Sequence, residues 1–166
     1  MDKCKKVLII TNIPTPYRIP LFAELDKQLQ EIGIHLKVVF GAEGYARRKW
    51  AIDLSSCGFE YQVLKSRTIS FRDMEKTLFT FRGLLKLIKL EKPDVIVSPG
   101  FSLATIKLWL KSWFTPTKYI IWSGSIRKKG RYDSKPRIWL RRMLVMRASG
   151  FVAYGSRAKE YLMSLG

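Results

Sequence analysis

Cysteine and histidine are nearly missing from this chain of 166 residues: it has two cysteines, Cys4 and Cys57, and one histidine, His35. There is no C-x-x-C spacing and no histidine cluster, so nothing suggests a zinc site, and the two cysteines read as buried thiols. Acid is scarce too. Thirteen Asp and Glu face 31 Lys and Arg, and the formal net charge of +18 implies an anionic partner surface. No apolar run approaches the roughly 18 residues of a membrane-spanning helix. The run behind Lys3, Lys5 and Lys6 stops at Thr11, too soon for an export signal. These absences predict a reducing, cytoplasmic setting, with membrane contact only peripheral. Repeats and low-complexity tracts are also absent. What is present, 47% hydrophobic and 13% aromatic residues, belongs to a folded protein with an apolar core. The length predicts one domain over residues 1–166.

Short β-branched runs recur at residues 7–11, 35–40, 60–64, 95–98, 119–122 and 151–154, with helical periodicity over 20–32, 74–91, 102–113, 136–148 and 157–165. Runs as continuously apolar as Val95-Ile96-Val97 indicate strands buried on both faces. The pattern predicts a doubly wound α/β domain, a parallel sheet of about six strands with helices on both faces. The connection over residues 45–58 is less regular, with room for one short helix.

The first crossover is distinctive because it lacks glycine. Strand 7–11 runs into Asn12-Ile13-Pro14-Thr15-Pro16-Tyr17-Arg18 and then a helix. Dinucleotide enzymes place a glycine-rich turn there so that backbone can approach a pyrophosphate. Two prolines stiffen this loop instead, and Tyr17 and Arg18 stand at the entry of a helix whose free N–H groups attract anions or polyols. The segment suits a rigid lip over a substrate and argues against a nucleotide-binding oxidoreductase. In an open parallel sheet, ligands bind beyond the carboxyl ends of the strands. The rim residues are therefore 12–18, 41–45, 99–102, 123–127 and 155–156. Thr15, Pro16, Tyr17 and Arg18 form one candidate wall. Gly100, Phe101, Ser123, Gly124, Ser125, Arg127, Tyr154, Gly155 and Ser156 supply the others. Each also has a plain structural reading, Ser156 as a helix N-cap among them. Glu91, Asp94 and His35 fall on the opposite edge, away from any chemistry.

Basic residues concentrate between 127 and 147, where nine Lys or Arg meet one acid, Asp133. Lys128, Lys129, Arg137, Arg141 and Arg142 lie in that window. Lys107 and Lys111 pair one helical turn apart beside Trp109, Trp113 and Phe114. Basic side chains flanked by large aromatics suit docking on an anionic lipid surface.

The opening Asn12 to Phe22, the middle Lys92-Pro93-Asp94-Val95-Ile96-Val97 and the close Arg147 to Gly166 together resemble the N-terminal half of a GT-B glycosyltransferase, nearest the large retaining family commonly numbered four. The resemblance spans the chain. It implies a Rossmann-like, acceptor-side domain facing a C-terminal donor domain that would hold the nucleotide sugar and a pair of glutamates. No counterpart of those glutamates occurs here. The implied function is the acceptor-binding half of a transferase acting on a saccharide or lipid-linked acceptor in cell-envelope glycan synthesis. Such a half would have no cofactor of its own and no activity alone, and would sit peripherally on the inner face of the membrane. Many relatives carry a histidine or an acid after the fifth strand, whereas this chain has Trp122-Ser123-Gly124-Ser125, so a histidine contact to the donor sugar is unsupported. The alternative is a basic α/β nucleic-acid-binding module. Helix-turn-helix, paired aromatic RNA-binding strands and zinc knuckles are all lacking, so no nucleic-acid partner is expected.

Overall fold

A computed structural model describes residues 5–44, 52–55, 57–65, 68–70, 77–126 and 134–166. Six strands form one sheet in the order β3-β2-β1-β6-β7-β8: β1 (Lys5–Thr11), β2 (Ile34–Phe40), β3 (Glu60–Val63), β6 (Val95–Pro99), β7 (Lys118–Ser123) and β8 (Gly150–Ala153). The sheet is parallel and flanked by helices, as the apolar runs predict. Leaving aside a two-stranded antiparallel hairpin of β4 (Thr68–Ser70) and β5 (Thr77–Phe79), this is the doubly wound order. The chain packs as two compact units, residues 1–96 and 97–166.

In the first unit, β1 pairs with β2 from Lys5 opposite Ile34 to Thr11 opposite Phe40, and β2 with β3 from Lys37 opposite Glu60. Leu8, Ile9, Ile10, Leu36, Val38 and Phe40 are buried. Phe22 of α1 (Ile19–Glu31) packs on the Phe40 and Phe59 rings at 6.5 and 5.8 Å. Cys57 is buried, and its thiol donates to the Phe59 carbonyl; Cys4 lies outside the described residues.

The helix predicted over 74–91 is much shorter. Thr77–Phe79 is a strand, and α2 covers only Leu84–Glu91. Phe79 and Phe81 are both buried with their rings 6.2 Å apart, and backbone φ is positive at Phe81 and Gly83. Burying two aromatics through an irregular turn overrides the helical periodicity of the sequence. Residues 74–76 lie outside the described part, as do 45–51 and 56; the rest of the 45–58 connection holds a turn and no helix.

In the second unit, α3 (Leu103–Lys111) follows β6, α4 (Lys135–Arg147) precedes β8, and α5 (Ser156–Met163) closes the chain. Tyr119 is fully buried and its hydroxyl donates to the Leu144 carbonyl at 2.6 Å, joining β7 to the last turn of α4. The burial expected of every strand fails at the two edge strands, where Glu60 and Tyr61 of β3 and Phe151 and Val152 of β8 are exposed. Gly155, in extended backbone, holds the N-cap position of α5, so Ser156 is its first residue and not its cap.

Candidate functional site

The first unit's rim is the loop between β1 and α1. The Thr15 carbonyl accepts from the backbone N–H groups of Arg18 and Ile19, closing a turn that sets Arg18 as the N-cap of α1. This turn aims Arg18 back at the sheet, where its Nη1 donates to Thr11 Oγ1 at 2.5 Å. The Arg18 guanidinium also lies 5.8 Å from the centre of the Tyr17 ring, which is largely exposed. Pro16 is exposed beside it, while Ile13 and Pro14 are buried and anchor the loop.

Thr15 is 3% exposed, and its Oγ1 has no hydrogen-bond partner among the described residues. A buried hydroxyl without a partner costs about 1–3 kcal/mol, so this group is notable in an otherwise well-anchored loop. Next to the loop, Gly41 N–H donates to the Thr11 carbonyl and Ala42 N–H to that of Asn12. A Cβ at Gly41 would meet Phe81 Cε1 at 2.8 Å and the Asn12 carbonyl at 3.0 Å, so the close approach of loop and ring requires glycine.

In the second unit, the carboxyl ends of β6, β7 and β8 bring together Gly100, Phe101, Ser123, Gly124, Ser125, Tyr154, Gly155 and Ser156. Gly100 has φ +56, a left-handed conformation that favours glycine, and its N–H donates to the Trp122 carbonyl at 2.9 Å. The turn is fastened by hydroxyls. Thr105 Oγ1 lies 2.5 Å from the Gly100 carbonyl, Ser98 Oγ donates to the Ile120 carbonyl, and Ser102 accepts from Thr105 N–H as the N-cap of α3. Ser123 is buried and its hydroxyl accepts from Ser125 N–H at 3.1 Å. It therefore fixes the shape of the Ser123-Gly124-Ser125 turn.

Two aromatic arrangements border this rim. Tyr154 lies tilted on Trp122, with ring centres 5.6 Å apart, and passes so close to Gly124 that a Cβ there would meet Tyr154 Cδ2 at 2.5 Å. The Arg141 guanidinium stands 5.0 Å from the Phe101 ring and 5.5 Å from that of Tyr161, whose hydroxyl it also contacts.

Thr11, Phe81 and Tyr161 are not singled out by the sequence, and Trp122 enters it only as the residue before Ser123, at the end of a predicted strand. Of the basic residues read as lipid-facing, Arg141 is drawn into this aromatic stack, whereas Arg137 and Arg142 are exposed. Lys107 is half-buried, and burial lowers its pKa. Arg127, Lys128 and Lys129 lie outside the described residues. No group of His, Cys, Asp and Glu among the described residues is arranged to hold a metal ion.

The opposite edge of the first unit is occupied by structural charge. Glu91 bonds Lys37 and Lys6, Glu60 bonds Lys37 and His35, and Asp94 exchanges hydrogen bonds with the backbone of Lys6.

No family model matches the chain, nor does any curated protein. Solved structures do. A UDP-N-acetylglucosamine 2-epimerase aligns with a TM-score of 0.59 at 20% identity, over 98% of this chain and 45% of its own. MurG of Acinetobacter baumannii gives 0.55 at 15% identity, over 93% and 42%. Sucrose-phosphate synthase of Thermosynechococcus elongatus gives 0.59 at 12% identity, over 96% and 45%. The chain spans less than half the length of each. These neighbours have GT-B-type folds, and this chain has the Rossmann-like α/β architecture from which such molecules are built.

Proposed function

We propose that this chain is the acceptor-side domain of a GT-B sugar transferase, using the loop between β1 and α1 to hold a saccharide or lipid-linked acceptor. The observation that carries the reading is Thr15 Oγ1, a buried hydroxyl with no partner among the described residues in a rigid, glycine-free loop. A ligand hydroxyl admitted by a small movement of the loop would relieve that cost, which is what favours the reading. Arg18 adds a cation for a phosphate or carboxylate on the acceptor, and exposed Tyr17 a face for a sugar ring. The nucleotide-sugar donor and the catalytic carboxylates would belong to a partner domain. Affiliation to the retaining family numbered four and a role in envelope glycan assembly rest on the sequence motifs.

A glycan array probed with the purified chain and with Thr15→Val tests this. Valine keeps the volume and removes the hydroxyl, so the melting temperature is expected to hold or rise while saccharide binding falls. Absence of saccharide binding, together with binding to mixed-sequence DNA that weakens steeply with salt, would replace this reading with the nucleic-acid alternative.

A further inference from the structure

The loop that carries Thr15 hangs on two backbone hydrogen bonds, and one buried ring stands behind them. Besides glycine, only Phe81 and Lys92 among the described residues have positive φ, at +46 and +47. Lys92 is the C-cap of α2, where the left-handed region is common. Phe81 holds no such position. It lies ahead of α2, and for so bulky a side chain that backbone is an outlier, kept only where the surroundings impose it.

Burial of the ring is what imposes it. Phe81 is 1% exposed, and its Cε1 and Cδ1 take up the space that a side chain at Gly41 would need. Gly41 and Ala42 donate their N–H groups to the Thr11 and Asn12 carbonyls at 2.8 and 3.0 Å, which extends the ladder of β1 and β2 into the loop. The Thr11 hydroxyl in turn accepts from Arg18, whose own N–H closes the turn on the Thr15 carbonyl together with that of Ile19. In this closed arrangement Thr15 Oγ1 is buried, so a ligand reaches it only once the loop shifts.

We infer that Phe81 is a latch on the loop between β1 and α1, and that a ligand of Thr15 binds by displacing it. The ligand side of this inference rests on the sugar-binding reading of Thr15; the closure rests on the Phe81 geometry alone. Opening relieves both the unbonded Thr15 hydroxyl and the left-handed Phe81 backbone, which offsets the lost burial of the ring.

A latch gives a pair of effects with opposite signs. Weakening it lowers stability, as loss of any buried ring does, but raises the share of molecules with the loop open and so tightens ligand binding. A ring that only fills the interior, or that preorganises the loop for its ligand, would lower both.

Hydrogen exchange read at single amides by NMR, in the wild-type chain and in Phe81→Leu, tests the closure. The Arg18, Ile19, Gly41 and Ala42 amides are expected to accelerate roughly tenfold more than those of Lys92 and Asp94, which bond the Ile88 and Lys6 carbonyls in the same unit. Phe81→Met fills most of the same volume with a flexible chain; it should give an intermediate effect, and it takes over the test if Phe81→Leu does not fold. Titrating the glycan array with both chains tests the ligand side. Saccharides held by the wild type should reach half-saturation at about threefold lower concentration of Phe81→Leu, despite its lower melting temperature. Equal acceleration of all six amides would overturn the latch, and so would saccharide binding that weakens or stays the same. An array on which the wild type holds no saccharide would remove the sugar-binding reading of Thr15, and the four loop amides would still decide whether Phe81 closes the loop.

Discussion

Glu91 and Lys37 meet at 2.5 Å between the end of α2 and the middle of β2, with Lys6 closing on the other carboxylate oxygen at 2.9 Å. Their bonds, that of Lys37 above all, pull the Glu91 pKa from 4.5 down to about 2. Burial works against the Lys37 ammonium, but its bonds to Glu60 and Glu91 outweigh it and the net direction is upward.

A depressed carboxylate stabilises the fold above its unfolded pKa and loses that contribution as pH falls through the folded value. Glu91→Gln should therefore destabilise the chain by about 2 kcal/mol at neutral pH. The difference from wild type should shrink as pH falls from 4.5 toward 2. Urea denaturation midpoints at pH 7 and pH 3 check this. A difference that stays constant with pH would mean that packing, not charge, is what the substitution removes. For Lys37 the sign is opposite: its contribution is complete below 10.5 and fades only above the raised pKa, so alkaline unfolding is the complementary measurement.

Tyr119 places a buried hydroxyl on the Leu144 carbonyl, one of the last four carbonyls of α4, which lack partners within the helix. Burial raises its pKa to about 12, only partly offset by Arg147, so the proton stays in place under ordinary conditions. Tyr119→Phe should cost about 1 kcal/mol and fray the end of α4. Hydrogen exchange at the end of α4 should accelerate while the first unit stays protected. Uniform acceleration across the chain would refute a local capping role.

Two glycines are required for different reasons, and substitution separates them. Gly41→Ala drives a methyl into the buried Phe81 ring and the Asn12 carbonyl, with an expected loss of about 1–3 kcal/mol. Gly100→Ala meets nothing nearer than Ser123 Oγ at 3.5 Å, so its expected loss of about 1–2 kcal/mol comes from φ +56 alone. Asparagine tolerates the left-handed region, so Gly100→Asn should recover part of that loss, whereas no side chain rescues Gly41. Denaturant midpoints for the three variants decide the matter.

Most strands of the sheet were legible because each is an apolar run that stands out from the polar turns around it; β3, Glu60-Tyr61-Gln62-Val63, is the exception. The stiff turn over Thr15 to Arg18 was legible from the missing glycine and the two prolines. Other features depend on groups far apart in the chain. The contact of Gly41 with Phe81 arises only once β5 leads into a turn that buries Phe79 and Phe81, and a three-residue strand such as Thr77–Phe79 leaves no period to detect. Arg141 reads as one more member of a basic stripe. Only its closeness to Phe101 and Tyr161 turns it inward, and nothing along the chain marks those partners. The Thr15 hydroxyl is a similar case: the residue is visible in sequence, but its burial without a partner among the described residues is a property of the folded loop.

The Trp122 and Tyr154 pair gives the rim of the second unit its own test. Tyr154 follows β8, its N–H donates to the Ser123 carbonyl at 3.2 Å, and its ring lies over Gly124 against Trp122. Under the proposed function, these rings at the carboxyl edge of the sheet are a face for a sugar ring. Gly124 keeps it in place by offering no side chain. Gly124→Ala puts a methyl where the ring now lies, and because Tyr154 is partly exposed the ring can swing outward. The expected stability change is therefore less than about 1 kcal/mol, with a clear change in near-ultraviolet circular dichroism. Tyr154→Phe should preserve both the stack and any saccharide binding seen on the array. Tyr154→Ala and Gly124→Ala should each weaken that binding about fivefold, the scale of one aromatic contact. Binding unaffected by either variant would leave the aromatic pair a structural role at the sheet edge.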